Sequence, residues 1–372
     1  MMAPTDVVFM AQALRLAEKG RYSTHPNPRV GCVIVKDDRV VGRGFHLKAG
    51  DGHAEANALA EAGNAARGST VYCTLEPCSF HGRTPSCAES LATAGVARVV
   101  AAMVDPDPRN AGKGLDILRC AGIEVDYPLL APSAAALNRG HVKRHKTGLP
   151  YVRLKLAMSL DGKTALENGQ SKWITGGAAR RDVQKLRAMS AALVTGVQTV
   201  NDDDPSLTVR ADELEVEYAS VSAEVARPIF ILDPGARINP GARILDNPDT
   251  VLVCLPGTET ELSCQRVSVP DDGSGRIHLL ALLKLLAARE YSEILIECGA
   301  SLAGQMVAQG LVDELIVYAA PSFLGADARS LLNIEKIDNM HDRIVIGIQD
   351  VRQIGEDIRI TCVPQITQET VG

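Results

Sequence analysis

Aromatic side chains are scarce in this chain, with 5 Phe, 7 Tyr and 1 Trp among 372 residues. So few rings argue against a single-strand nucleic-acid binder built on stacking platforms. A basic excess is missing too: the formal net charge is -6, which argues against a partner held by phosphate neutralisation alone. No apolar run approaches the ~18 residues needed to span a bilayer. Asp6, Arg15, Glu18 and Lys19 interrupt the apolar positions of the first segment, so no signal peptide is expected. Beyond Gly148 no G-x-G-x-x-G follows a strand-like stretch, and a Rossmann fingerprint is therefore lacking.

What is present describes a protein able to bury ordinary cores. At roughly 150 residues per domain the length predicts two domains. Hydrophobic residues at 46% and charged residues at 23% exclude a disordered chain. Nine cysteines, an odd number without an export signal, suggest reduced cytoplasmic thiols, some buried and some on a metal. Up to Gly148 there are 18 Lys and Arg against 14 Asp and Glu; beyond it, 21 against 31. The halves carry different surfaces, and the imbalance names no ligand.

Periodicity and turn chemistry predict alternating strands and helices in both halves. In the first, strands are expected at Val30–Val35, Val40–Phe45, Thr70–Thr74, Arg98–Val104 and Ile123–Val125. Helices are expected from Val8 to Gly20, Ala54–Ala62, Ala88–Thr93 and Gly114–Cys120. Ala131–Thr147 reads as one connecting helix, and Gly148-Leu149-Pro150 as the boundary between domains 1–148 and 149–372. The second series has strands at Val152–Ala157, Leu193–Gly196, Pro228–Asp233, Thr250–Leu255, Ile294–Ile296 and Leu315–Ala319. Its helices are placed at Gly177–Ser190, Leu279–Arg289 and Leu302–Gln309. Alternation of this kind implies α/β layers with both sheet faces covered. Eight acidic residues between Asn201 and Arg227 suggest a solvated insertion.

The strongest local signal is His53-Ala-Glu55, followed by Glu76-Pro-Cys78 and then Cys87. Singly these residues are ordinary; as an ordered set they match the H-x-E and P-C signature of zinc nucleobase deaminases, with one His and two Cys on the metal and a Glu that is not a ligand. Two thiolates and a neutral imidazole leave a fourth position open, as catalytic zinc requires. Cys78 and Cys87 are separated by eight residues instead of the usual two, a departure in spacing.

That insertion carries a resemblance. Cys78-Ser-Phe-His-Gly-Arg-Thr-Pro-Ser-Cys87, His25-Pro-Asn-Pro-Arg-Val-Gly31 and Gly42-Arg-Gly-Phe-His46 closely resemble the bifunctional deaminase/reductase of riboflavin biosynthesis. The resemblance implies zinc on His53, Cys78 and Cys87, with Glu55 as proton shuttle, and loss of the 2-amino group from a diaminopyrimidinone carrying ribose 5-phosphate. Asn27, His46, Arg83, Thr84 and Asp105 match family positions that line the substrate pocket. Phe80 and Asp107 depart from the family pattern, Phe80 from a His and Asp107 from the Asn of D-P-N-P. On residue type alone Asn27 also fits an Asx turn.

Beyond Gly148, Leu154–Lys163, Ser171-Lys-Trp-Ile-Thr175, Arg180–Arg187, Thr195-Gly-Val-Gln-Thr199 and Asp203–Arg210 occur in the order found in the reductase domain of the same family. The resemblance implies a cytidine-deaminase-like three-layer α/β/α domain followed by a dihydrofolate-reductase-like α/β domain that uses NADPH. It places the nicotinamide cofactor against Ala157, Trp173, Thr199, Asp203 and the segment Gly299, Ala300, Ser301, Leu302, Ala303, Gly304 and Gln305. The ribosyl phosphate would meet Ser171, Arg187, Leu207, Arg210 and Glu297, and Lys155 matches a position near the ribose carbon that is reduced. From the residues themselves, Gly299 in a strand–helix turn is a weak phosphate signal, and Lys155 is equally a strand-edge charge.

Two other readings stay open. One is a tRNA or nucleoside deaminase with an unrelated second domain, which would want C-x-x-C spacing and a basic face. The other is a non-catalytic zinc-stabilised module, in which His46 or His81 would close the metal site. The expected partner is a small molecule, without nucleic acid or membrane. The chain is expected to be a cytoplasmic homo-oligomer, and Leu315–Ala319 is open as core or subunit interface.

Overall fold

The computed structural model describes residues 3–80 and 86–365. The chain divides into two compact units, Met1–Gly148 and Leu149–Gly372. The first is built on a five-stranded sheet of β1 (Gly31–Lys36), β2 (Arg39–Phe45), β3 (Thr70–Cys73), β4 (Arg98–Ala101) and β5 (Glu124–Asp126), in the order β2-β1-β3-β4-β5. β1 pairs antiparallel with β2 and β3, while β3, β4 and β5 run parallel. Its helices are α1 (Pro4–Glu18), α2 (Ala54–Ala62), α3 (Cys87–Ala94), α4 (Lys113–Cys120), α5 (Ala131–Leu137) and α6 (Arg139–Thr147). Alternate residues of β1 go to opposite layers. Cys32 and Ile34 pack with α2 and α3, whereas Val33 and Val35 pack with α1.

Helix seating depends on two glycines. A Cβ on Gly44 would meet the Ala54 carbonyl at 2.0 Å, and one on Gly31 the Ala13 carbonyl at 2.0 Å. Only bare backbone lets α2 and α1 lie this close to the sheet. A buried network ties the layers together. Asp6 on α1 accepts bonds from Arg98 (2.9 and 3.0 Å) and from the Tyr72 hydroxyl (2.7 Å). These partners hold the Asp6 carboxyl down at about 2, against the opposing push of burial.

The expected single helix Ala131–Thr147 is instead two. It breaks at Asn138 (φ -114°, ψ 34°), whose side chain is drawn off to the backbone of Arg29.

The second unit contains β6 (Tyr151–Ser159), β7 (Lys163–Ala165), α7 (Gly177–Met189), β8 (Ala192–Gly196), α8 (Val197–Asp203), α9 (Ala219–Glu224), β9 (Ile229–Leu232), β10 (Thr250–Cys254) and β11 (Gln265–Ser268). There follow α10 (Leu279–Ala288), β12 (Glu293–Glu297), α11 (Ala300–Ala308), β13 (Glu314–Ala320), β14 (Arg329–Ser330), β15 (Val345–Ile354) and β16 (Asp357–Gln365). Nine strands form one sheet, β11-β10-β9-β8-β12-β6-β13-β16-β15, parallel through β13 and antiparallel in the last two. β7 and β14 pair separately.

The central strands are apolar on both faces and covered by helices on each side, as expected of a buried parallel sheet. Ile316 and Tyr318 of β13 are fully buried, which makes Leu315–Ala319 core. The acidic stretch between Asn201 and Arg227 is more ordered than a solvated insertion. Leu214 and Ser222 are buried in it, and the Arg227 guanidinium is buried against the carbonyls of Ala188, Ser222 and Val225.

Candidate active sites

His53 is the N-cap of α2, and Glu55 follows in its first turn. Cys87 opens α3, whose N-cap Ser86 accepts a bond from the Glu89 N–H at 3.3 Å. Cys78 follows β3 by a short loop and accepts the Cys87 N–H at 3.3 Å. The donor atoms of His53, Cys78 and Cys87 all lie within 4.8 Å of one another, the one metal-ligating group of this kind among the described residues. His53 Nδ1 stands 3.3 Å from Cys87 Sγ and 3.7 Å from Cys78 Sγ. Cys87 and His53 hydrogen-bond to the Cys78 thiol and hold its pKa well below the usual thiol range, and this outweighs burial. One imidazole and two sulfurs converging at helix starts suit zinc with an open coordination position. The long spacing between the cysteines does not part their sulfurs.

Glu55 is buried beside this group, and burial followed by the nearby Cys78 pushes its carboxyl up to about 7. A carboxyl with that affinity can take and return a proton near neutral pH. His46 Nδ1 lies 3.2 Å from the Gly52 carbonyl, which can only accept. The proton is therefore assigned to Nδ1, leaving Nε2 to accept from Asn27 Nδ2 at 3.0 Å. Burial lowers the His46 pKa, and its ring meets that of His53 edge-on at 5.5 Å.

Glu76 was read only as part of the cysteine motif, yet it organises the site. Its buried carboxylate accepts the backbone N–H groups of Asp105 (3.0 Å), Gly112 (2.9 Å) and Gly114 (2.9 Å). Asn110 was missed as well. It accepts the Ser79 N–H at 2.9 Å through Oδ1 and contacts Asp105 Oδ2 at 3.4 Å. Asp105 is thereby tied to the Cys78 loop. Asp107, the departure from the family pattern, bonds to Arg109 of its own loop at 2.6 Å. Phe80 is partly exposed with the Arg109 guanidinium 5.6 Å from its ring. Arg83 and Thr84, and with them His81, lie outside the described residues.

In the second unit, Lys155 on β6 sits opposite Glu297 on β12, with Nζ 3.9 Å from its carboxylate. Burial pushes the Lys155 ammonium down. Arg187 on α7 forks onto Glu297 at 2.6 and 3.0 Å. Arg210 pairs with Glu213 at 2.7 Å, so the two arginines expected to clamp a phosphate each already hold a carboxylate. Ser171 donates to Asp203 at 2.7 Å, and Thr199 accepts the Gly299 N–H at 3.1 Å. Trp173 is 71% exposed, with the Arg180 guanidinium 4.5 Å from its ring. Ala157 lies on β6 beside Tyr318.

Several members of the expected set are turned away from this cluster. The segment from Gly299 to Gln305 is an N-cap followed by helix from Ala300, with no side-chain cap. Its uncapped first N–H groups, among them those of Ala300, Ser301 and Leu302, suit a phosphate. Ala303 and Gly304 are buried, and a Cβ on Gly304 would meet the Asn333 carbonyl at 2.0 Å, a packing reason for that glycine. The Leu207 side chain is also buried in the core, which leaves its backbone for any contact.

Two classes of domain are matched. Residues 4–103 fit the cytidine and deoxycytidylate deaminase zinc-binding region, and residues 150–360 the RibD C-terminal domain. The riboflavin biosynthesis protein RibD of Escherichia coli is 45% identical over 359 residues, covering 95% of this chain and 98% of its own. The solved RibD of Acinetobacter baumannii superposes with TM-score 0.89 at 45% identity, over 97% of this chain and 99% of its own. A Thermotoga maritima structure described as a diaminohydroxyphosphoribosylaminopyrimidine deaminase/5-amino-6-(5-phosphoribosylamino)uracil reductase gives TM-score 0.83 at 28% identity, over 97% and 99%. The chain belongs to the RibD family of riboflavin biosynthesis, bifunctional enzymes with a zinc-binding deaminase domain and an NADPH-using reductase domain.

Proposed function

We propose that the first unit, 1–148, removes the 2-amino group of 2,5-diamino-6-ribosylamino-4(3H)-pyrimidinone 5′-phosphate by hydrolysis. The second unit, 149–372, then reduces the ribosyl chain of the product to ribityl. The observation that carries this reading is the convergence of His53, Cys78 and Cys87 beside the buried Glu55. His53, Cys78 and Cys87 would hold the zinc, which would supply a water made acidic enough to attack near neutral pH. Glu55 takes the proton and passes it to the ring nitrogen and the departing amine. Asn27, His46 and Asp105 orient the pyrimidinone; Arg83 and Thr84, outside the described residues, keep the substrate-binding role that the family resemblance gives them.

In the second unit NADPH supplies the hydride. Ala157, Trp173, Thr199, Asp203 and the start of α11 from Gly299 hold the cofactor. Ser171, Arg187, Arg210, Glu297 and the Leu207 backbone hold the ribosyl phosphate, because guanidinium forks match phosphate oxygens. Lys155 would stand near C1′ of the ribosyl chain and favour its opened, imine-like form, which would take hydride at C1′ from the bound cofactor and a proton from water at the nitrogen. The test is a coupled assay with this substrate, following ammonia release and NADPH loss separately. Ammonia release that needs no NADPH, followed by NADPH loss when the cofactor is added, is the expected result. Ammonia release with no NADPH consumption overturns the assignment of the second unit.

The same reading makes the chain a cytoplasmic homo-oligomer. All nine cysteines are free thiols, and no helix among the described residues is long and apolar enough to cross a membrane. β15 is the outermost strand of its sheet, and Val345, Ile346, Ile348 and Val351 on it are exposed, a row suited to pairing with a second copy. Sedimentation equilibrium showing only monomer at assay concentrations overturns the oligomer.

A further inference from the structure

We propose that His141, on a helix that reads in sequence as a mere connector, is a positioning residue for the deamination, acting through Asp105. The proposal rests on the reading above that Asp105 faces the pyrimidinone. The match to the deaminase zinc-binding region ends at residue 103, so α5 and α6 lie beyond it. Even so, this segment grips two loops that frame the site. Asn138 accepts the Arg29 N–H at 2.8 Å and donates to the Arg29 carbonyl at 2.9 Å, closing both backbone groups two residues after Asn27. Three residues on, His141 Nε2 reaches Asp105 Oδ1 at 2.8 Å. Asn138 is the N-cap of α6 and His141 lies in its first turn. All four partners are buried: Asn138, Arg29, His141 and Asp105.

The two oxygens of Asp105 are treated differently. Oδ1 takes both the His141 ring N–H and the Asp107 backbone N–H at 3.0 Å. Among the described residues Oδ2 has only the long contact from Asn110 at 3.4 Å, and it keeps acceptor capacity for an N–H of the substrate. His141 and the Asp107 N–H together commit Oδ1 inside the protein, and Oδ2 is left to be offered to the pyrimidinone. Its own orientation is fixed by His145, whose ring stacks edge-on against it at 4.6 Å and whose Nε2 lies 3.8 Å from Asp107. Misplacing a polar contact by about 1 Å costs about a hundredfold in rate, so a residue two layers from the metal can matter to turnover.

The test uses the full-length, zinc-loaded enzyme. His141→Phe keeps a ring and removes the donor, while His141→Asn restores a donor. His141→Phe should raise KM for the diaminopyrimidinone and lower kcat/KM for ammonia release at least about tenfold. Zinc content and NADPH consumption on the already deaminated substrate should not change, and His141→Asn should recover part of the loss. In an Asp105→Asn background either substitution should have no further effect. If His141→Phe does not fold, the His141→Asn and Asp105→Asn pair reads the same coupling. Ammonia release within twofold of wild type, a loss that persists in the Asp105→Asn background, or a loss that tracks zinc content overturns the proposal. Failure of the wild-type enzyme to release ammonia overturns the parent reading and this proposal with it.

Discussion

In the first unit the buried carboxylate that organises the site, Glu76, is satisfied by three backbone N–H groups. In the second, Glu297 is satisfied by Arg187 and Lys155, the cations assigned to the ligand. The difference shows two ways of keeping polar groups content inside a protein. Backbone donors satisfy Glu76 without drawing on any cation or on the side chains of His53, Cys78 and Cys87, which already converge with nothing bound. The reductase cluster neutralises itself, and on the proposed reading a phosphate would have to take over a guanidinium that a carboxylate already holds.

Glu55→Gln tests the preassembled site most severely. Deamination should fall by about a thousandfold, with zinc retained and NADPH-dependent reduction of the deaminated substrate unchanged. Ammonia assay and metal analysis on one preparation check it, and full turnover with zinc bound removes Glu55 from proton transfer. Arg187→Leu should strike both stability and activity in the second unit. It leaves Glu297 with Lys155 alone at 3.9 Å and removes the proposed phosphate contact, costing about 3 kcal/mol of stability and lowering kcat/KM for reduction at least about tenfold. Urea unfolding with separate assays of both reactions checks this; unchanged stability would mean that Glu297 does not depend on its arginine.

A smaller effect is expected at Asp6, which belongs to the scaffold of the first unit. Its carboxyl sits at about 2 against an ordinary 3.8, so the stabilisation is complete above the ordinary value and fades as pH falls toward the lower one. Asp6→Asn should cost about 2 kcal/mol at pH 7, and the gap to wild type should shrink at pH 3, read from urea midpoints at each pH. The smallest effect is optical. NADPH should quench the single tryptophan, Trp173, and an unchanged signal at demonstrated saturation places the cofactor elsewhere.

Much of this was legible in the sequence where chemistry is carried by rare residue types. His53, Glu55, Cys78 and Cys87 announce themselves because few arrangements of such residues are accidental, and strands such as Ile229–Leu232 because apolar runs between turns have few other uses. Glu76 and His141 were not legible as site residues, since their role is to hold backbone or another side chain, and that depends on loops meeting in space. The hairpin Val345–Ile354 with Asp357–Gln365 escapes sequence reading because apolar and charged residues mix along both strands, and β15 is too exposed to enforce strict alternation. The break at Asn138 was hidden for the opposite reason: its neighbours are good helix formers, and a distant backbone overrides them.

The seat of α2 on Gly44 gives the deaminase an unusual vulnerability. The helix that presents His53 and Glu55 rests on that glycine through the carbonyl of Ala54, the residue between them. Any added side chain at 44 would wedge the first turn away from the two cysteines, which are anchored elsewhere. In a mutational scan scored by ammonia release, this position, which touches neither metal nor substrate, should tolerate substitution as poorly as a ligand.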